Sequence, residues 1–325
     1  MRTDTSQRIL EFIEKNRNIT AKEIIDFFNF TPAAIHRHLS RLIESEKLKK
    51  IGRPPKVFYS INGEKKRDNK LELGSEYRKV IEENFLKISP IGEKKEGWEG
   101  FLYWCDKVNV DPGKTATEYI KVLKKYKPLY SDGLINGMKK FKETFRDDVF
   151  LDKVFYLDFY SIERFGKTKL GQQLLHGKQN GIKDLINEVI KTAKPGIMSI
   201  IKKYNIDGVC FVPWTINRKV QFMRELENGL KLNIKKVSIS KIKGEIPVSQ
   251  KSLSKKADRI ENAKNTLVVT EKSHFKSILL IDDAVGSGAT LNEIARQIKE
   301  KSIAKKVIGV AITGSVKGFD VISEV

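Results

Sequence analysis

Two adjacent acids, Asp282 and Asp283, stand between an apolar run and a glycine-rich turn in SILLIDDAVGSGATL. Carboxylates accept hydrogen bonds from vicinal hydroxyls and bind hard cations. The next residues are Ala284, Val285, Gly286, Ser287, Gly288, Ala289 and Thr290. Gly286 and Gly288 permit tight backbone geometry and close approach of N–H groups to a ligand. With the Ser287 and Thr290 hydroxyls, those donors make a nest at the start of the helix-like LNEIARQIKE. A helix N-terminus carries partial positive charge, so phosphate is its natural guest. The acids would repel that phosphate unless they face a different group a few ångströms away. The stretch therefore reads as a binder of a 5-phosphorylated ribose, with Asp282 and Asp283 on the 2- and 3-hydroxyls and the loop on the 5-phosphate. A Walker loop requires GxxxxGK[ST], and no Lys follows these glycines. The plainer alternative is an ordinary strand–turn–helix connection. The strict succession of apolar run, two acids and GSGAT argues against it.

The elements around this stretch must place it at a sheet edge. From about residue 200, short β-branched runs (DGVCFVP, IKKVSIS, SILLIDD, VIGVAITG) alternate with the helical patterns QFMRELENGL and LNEIARQIKE. That order predicts an α/β domain with a mostly parallel sheet. Ligands of such sheets bind at the carboxyl ends of the strands. SILLIDD puts both acids at such an end, and AVGSGAT is not expected to extend the strand.

ILLIDDAVGSGATL resembles the PRPP motif of type I phosphoribosyltransferases, with Ser287-Gly288 where Thr-Gly is usual. The wider span 158–325 resembles the ComF family, competence-associated proteins of that fold. FGKTKLGQQLLHGKQNG matches its entry helix, and DGVCFVPWTINRKVQF its first core strand and following loop. PVSQKSLSKKADRIENA matches through Pro247, Gln250, Leu253, Arg259 and Asn262. The resemblance implies PRPP binding together with Mg²⁺, and catalytic roles for Asp282 and Asp283. It implies pyrophosphate or lid roles for Arg218, Lys219, Gln250 and Arg259. Lys251, Lys255 and Lys256 add basic charge to that lid. The sequence departs from the family twice. It carries no cysteine-rich zinc module, and Val220-Gln221-Phe222-Met223-Arg224 replaces the usual Arg-Gly-aromatic-Asn-Gln.

Residues 1–62 read as a winged helix-turn-helix. Ile9, Leu10, Phe12 and Ile13 mark an amphipathic first helix. Thr20 and Glu23 form a capping box for the second, and Thr31 with Pro32 opens the third. Ile35, Leu39, Leu42 and Ile43 share one face of that third helix. Ala33, His36, Arg37, Ser40 and Arg41 share the other, as a major-groove reader requires. Thr31 joins them at the helix start. Arg53 and Lys56 flank a hairpin tip that would reach DNA phosphate. Protein–protein docking is the alternative use of such a module. His36 and His38 lie two apart on a helix and so cannot share a metal.

Residues 63–157 read as a charged linker followed by a helical middle region. There GWEGFLYWC brings Trp98, Phe101, Tyr103 and Trp104 together, as a helical core or a platform for stacked bases. Residues 158–325 complete the chain as the phosphoribosyltransferase-like domain.

The composition bounds the function. The 325 residues carry a formal net charge of +21. Of this, +13 falls in 158–325, where 30 basic residues meet 17 acidic ones. Such charge favours polyanions, nucleic acid and phosphates alike. Two distant cysteines, Cys105 and Cys210, argue against a disulfide framework or a zinc ribbon. No apolar run is long enough to span a bilayer and the first residues are polar, so a cytoplasmic protein is expected. The combined expectation is a DNA-binding regulator, a dimer in the manner of winged-helix regulators, that binds PRPP or a nucleotide 5′-phosphate. A catalytically active phosphoribosyltransferase and a non-enzymatic nucleic-acid scaffold are the alternatives.

Overall fold

The computed structural model describes residues 5–16, 19–53, 56–62, 74–242, 253 and 255–315; side chains at 51–53 and 56 are outside that description. The chain divides into two compact units, 1–71 and 72–325.

The first unit runs α1 (Thr5–Asn16), β1 (Ile19–Thr20), α2 (Ala21–Phe28), α3 (Pro32–Glu44), β2 (Leu48–Arg53) and β3 (Lys56–Ile61). Local chemistry sets these boundaries. The Glu23 N–H donates to Thr20 Oγ1 at 3.3 Å, and the Thr20 N–H donates back to Glu23 Oε2 at 2.7 Å. Asn29, in the left-handed region at φ 52°, ends α2. Thr31 Oγ1 accepts from the Ala34 N–H at 3.3 Å, and Pro32 occupies the first turn of α3, where no intrahelical donor is needed. Ile9, Ile13, Ile24, Ile35, Leu39 and Leu42 pack into one core with Tyr59 of the wing. The strands form an antiparallel sheet in the order β1-β3-β2.

The second unit opens with α4 (Ser75–Asn84), β4 (Leu86–Ile88), β5 (Lys94–Glu96), α5 (Gly97–Lys107) and α6 (Pro112–Tyr126). It continues through β6 (Tyr130–Ser131), β7 (Leu134–Asn136), α7 (Met138–Phe145), β8 (Lys153–Phe159), β9 (Ser161–Ile162), β10 (Gly166–Lys167), α8 (Lys169–Asn180) and α9 (Lys183–Tyr204). Then come β11 (Gly208–Phe211), α10 (Phe222–Leu230), β12 (Lys235–Lys236), β13 (Ile239–Lys241), α11 (Lys256–Thr266), β14 (Leu267–Val269), β15 (Phe275–Val285), α12 (Ala289–Glu300) and β16 (Ala304–Gly314). The large sheet has seven strands in the order β12-β11-β15-β16-β8-β7-β6. The five strands from β12 to β8 are parallel, and β7 and β6 add an antiparallel edge. This is an α/β unit with a mostly parallel sheet.

Four expectations need correction. The middle region is not a separate helical piece, because β6, β7 and β8 belong to the large sheet. A division between 157 and 158 cuts β8, whose residues pair with β16 from Lys153 to Phe159. IKKVSIS does not make one strand. It breaks after β12, and β13 pairs antiparallel with β14 outside the large sheet. The strand carrying the acids also runs on to Val285, because β16 keeps pairing with it through Ala284 and Val285. The aromatic cluster is core: Phe101 and Trp104 are buried, and Trp98 stacks on Phe101 at 5.6 Å.

The two faces of the sheet carry different helices. α12 packs Leu291, Ile294 and Ile298 against Ile278, Leu280 and Val307. α10 packs Phe222, Leu226 and Leu230 against Val209, Phe211, Leu279 and Ile281 on the other face. The chain therefore turns one way after β11 and the opposite way after β15. A crevice opens between two such strands at their carboxyl ends.

Candidate functional site

A cleft of about 170 Å³ occupies that crevice. One wall is continuous chain from Asp282 through Leu291. Thus Asp282, Asp283, Ala284, Val285, Gly286, Ser287, Gly288, Ala289 and Thr290 all line this one cleft. β11 stops pairing at Phe211, opposite Ile281, so β15 overhangs it by the two acids and two further residues. Gly288 stands at φ +80° immediately before α12. The first amides of an α-helix have no intrahelical acceptor. In α12 they belong to Ala289, Thr290 and Leu291, all lining the cleft. The Ala289 N–H makes one long bond, 3.4 Å, to Ser287 Oγ.

Successive residues of a strand leave it on opposite sides, and the two acids accordingly meet different lysines. Asp283 is buried and forms an ion pair with Lys178 of α8. Asp282 Oδ1 accepts from the Asp283 N–H at 2.7 Å. Lys241, at the end of β13, donates to Thr215 Oγ1 at 2.6 Å. Burial pushes the Lys241 ammonium below its ordinary pKa, while the nearby Asp282 charge pulls it back up. Both lysines line the cleft. Neither was legible, since they come from segments roughly 40 to 100 residues away from the acids with no motif of their own. Trp214, 41 % exposed, also lines the cleft after β11.

The other predicted residues divide. Arg218 lines the cleft and donates to the Gln179 carbonyl at 3.2 Å. Lys219 is exposed and is not among the lining residues. Arg259 lines the cleft, is buried, and donates through Nε to the Leu253 carbonyl at 2.6 Å. Gln250 lies outside the described residues. Cys210 beside the site is buried, and desolvation pushes its thiol up to about 12, so it is no nucleophile at neutral pH.

The Lys178–Asp283 pair makes a stability prediction. Lys178→Met removes the cation from a buried carboxylate and should cost about 1–3 kcal/mol. The Lys178→Met/Asp283→Asn double variant should recover most of that loss in urea melts. Equal melts for wild type and Lys178→Met would dismiss the pair as an energetic contact.

In the N-terminal unit, α3 buries Ile35, Leu39 and Leu42 and exposes Thr31, Ala33, His36, Arg37, Ser40 and Arg41. All six predicted α3 residues are therefore on the solvent side. His38 is instead half-buried and held to Ser6 Oγ at 2.9 Å. The Arg53 and Lys56 backbones pair across the wing, but their side chains lie outside the described residues. No helix among the described residues is long and apolar enough to cross a membrane.

The chain matches no curated protein. Residues 2–49 match the family model described as winged helix-turn-helix DNA-binding. That span covers the three helices and the start of the wing, so the N-terminal unit is a winged helix-turn-helix of the DNA-binding kind.

Proposed function

We propose that the protein is a DNA-binding regulator whose α/β unit binds PRPP or a nucleotide 5′-phosphate. The observation that carries this reading is the single wall from Asp282 to Thr290 at the switch point of the sheet. It presents carboxylates for ribose hydroxyls beside helix-start amides for the phosphate. Lys178, Lys241 and Arg218 add cationic charge for further phosphate groups. Ligand and DNA would influence each other reciprocally through their binding free energies. A homodimer reading two half-sites fits the winged-helix unit. The ComF-like sequence pattern extends the reading to proteins that handle incoming DNA.

Mg²⁺ fits the donor set in one form. No group of three or more His, Cys, Asp or Glu side chains that could hold a metal occurs among the described residues. Mg²⁺ is commonly held by one or two carboxylates, water and substrate phosphates. Asp282 and Asp283 supply that share, and the ion would neutralise phosphate charge. The cationic cleft also favours a second reading, phosphoribosyl transfer with pyrophosphate leaving. Release of pyrophosphate from PRPP in the presence of nucleobases would establish it.

The direct test is calorimetric titration of PRPP with Mg²⁺ into wild type and single Asp282→Asn and Asp283→Asn variants. Each carboxylate-to-hydroxyl bond is worth about 1.5–3 kcal/mol, so affinity should fall by tenfold or more per variant. Absence of binding to the wild type would sink the reading and leave the basic α/β unit as a nucleic-acid scaffold.

A further inference from the structure

A second cavity, of about 450 Å³, lies in the same unit and shares no lining residue with the cleft. It sits where α4, α6, α8 and α9 meet the antiparallel edge of the sheet. Asp158 of β8 lines it, with Tyr119 and Tyr126 of α6 and Tyr130 of β6. Thr192 of α9 is exposed, which places it at the rim.

Asp158 is unusual among these groups. Its Oδ1 accepts from the Tyr130 hydroxyl at 2.5 Å and from the Phe159 N–H at 2.7 Å. Asp158 is half-buried. Desolvation holds its carboxyl above the ordinary carboxylate pKa, and those bonds and a contact with Thr168 only partly oppose the rise. No lysine or arginine among the described residues forms an ion pair with it. Glu83 and Lys169 also line the cavity, and they offset each other in formal charge. The carboxyl end of α4 adds partial negative charge there. Its Asn84 carbonyl accepts from the Tyr119 hydroxyl at 3.2 Å, and its Glu83 carbonyl accepts from Lys169 Nζ at 3.3 Å. The cavity is thus locally electronegative in a chain of net charge +21. A carboxyl so withdrawn from water takes its charged form best against a cationic partner. Tyrosine rings attract cations at their faces. The volume is that of a small-molecule pocket, about 300–1,000 Å³.

We propose that this cavity binds a small organic cation, an amine or guanidinium, with Asp158 as its counter-charge and the three tyrosines as its apolar walls. The site is independent of the phosphate cleft. A purely structural Asp158, tying β8 to β6 through Tyr130, is the opposing account.

Calorimetric titration of agmatine, putrescine and uncharged 1,4-butanediol into the full chain near neutral pH separates them. Agmatine or putrescine should bind and the diol should not. Asp158→Asn keeps an acceptor oxygen for Tyr130 and Phe159, yet should weaken the cation about tenfold or more. Thr192→Arg leaves the core untouched and should also weaken it, by closing the rim with like charge; it decides the matter alone if Asp158→Asn fails to fold. Failure of both cations to bind the wild type, equal binding of the diol, or binding unchanged in the folded variants overturns the proposal.

Discussion

Arg37→Ala/Arg41→Ala should lose duplex binding by about a hundredfold or more, because each arginine that reads a base edge contributes about 1–3 kcal/mol. The two side chains stand one helical turn apart on the exposed face of α3. That face rests on Ile35, Leu39 and Leu42, which are buried and fix the rotation of the helix about its axis. Neither arginine is buried, so their removal should leave the melting temperature unchanged. Fluorescence anisotropy on a mixed-sequence duplex at several salt concentrations checks the expectation. If the arginines meet phosphates, the loss will be uniform across sequences and the salt slope will fall by about one per arginine. If they meet bases, the loss will concentrate on a selected sequence. Arg8→Ala is the control for loss of a single positive charge away from α3, since Arg8 lies over the Phe28 ring at 5.5 Å. Wild-type affinity in the double variant, or an equal loss in Arg8→Ala, would remove α3 from DNA recognition.

What the sequence made legible follows from the range of the forces involved. Thr20, Glu23, Thr31 and Pro32 act within one helical turn, and each boundary they predict is where the chain bends. The Asp282–Thr290 stretch was equally readable, because strand, turn and helix start are consecutive in the chain. Distant pairing left no such mark. KVFYLDF has no local feature that names VIGVAITG as its partner, although β8 and β16 run side by side. The assignment of 63–157 to its own region failed for that reason. The two lysines of the cleft and Asp158 of the second cavity were hidden likewise. Only the fold brings Lys178 to Asp283, across about a hundred residues of chain.

Gly288→Ala should be a strongly damaging small substitution in the α/β unit. Gly288 adopts φ +80°, where a Cβ costs about 1–2 kcal/mol. The added carbon would also lie 2.2 Å from the Phe141 ring, well inside contact distance. Phe141 is fully buried at the heart of α7 and packs on Phe145 at 5.5 Å, so the ring cannot simply swing away. Overpacking of this kind adds about 1–3 kcal/mol. The combined loss is then about 2–5 kcal/mol, enough to lower the melting temperature by several degrees or more. The expected route of relief is specific. Phe141→Ala alone leaves a cavity and costs about 3–5 kcal/mol. In that background Gly288→Ala should cost only its backbone part, so the double variant should be less than additive. The proposed PRPP binding should fail in Gly288→Ala even below its melting temperature, because the helix-start amides shift with the loop. Additive costs would mean that the ring yields freely. In that case the seating of the loop on α7, and with it the role of the 138–145 helix in holding the site, would be wrong.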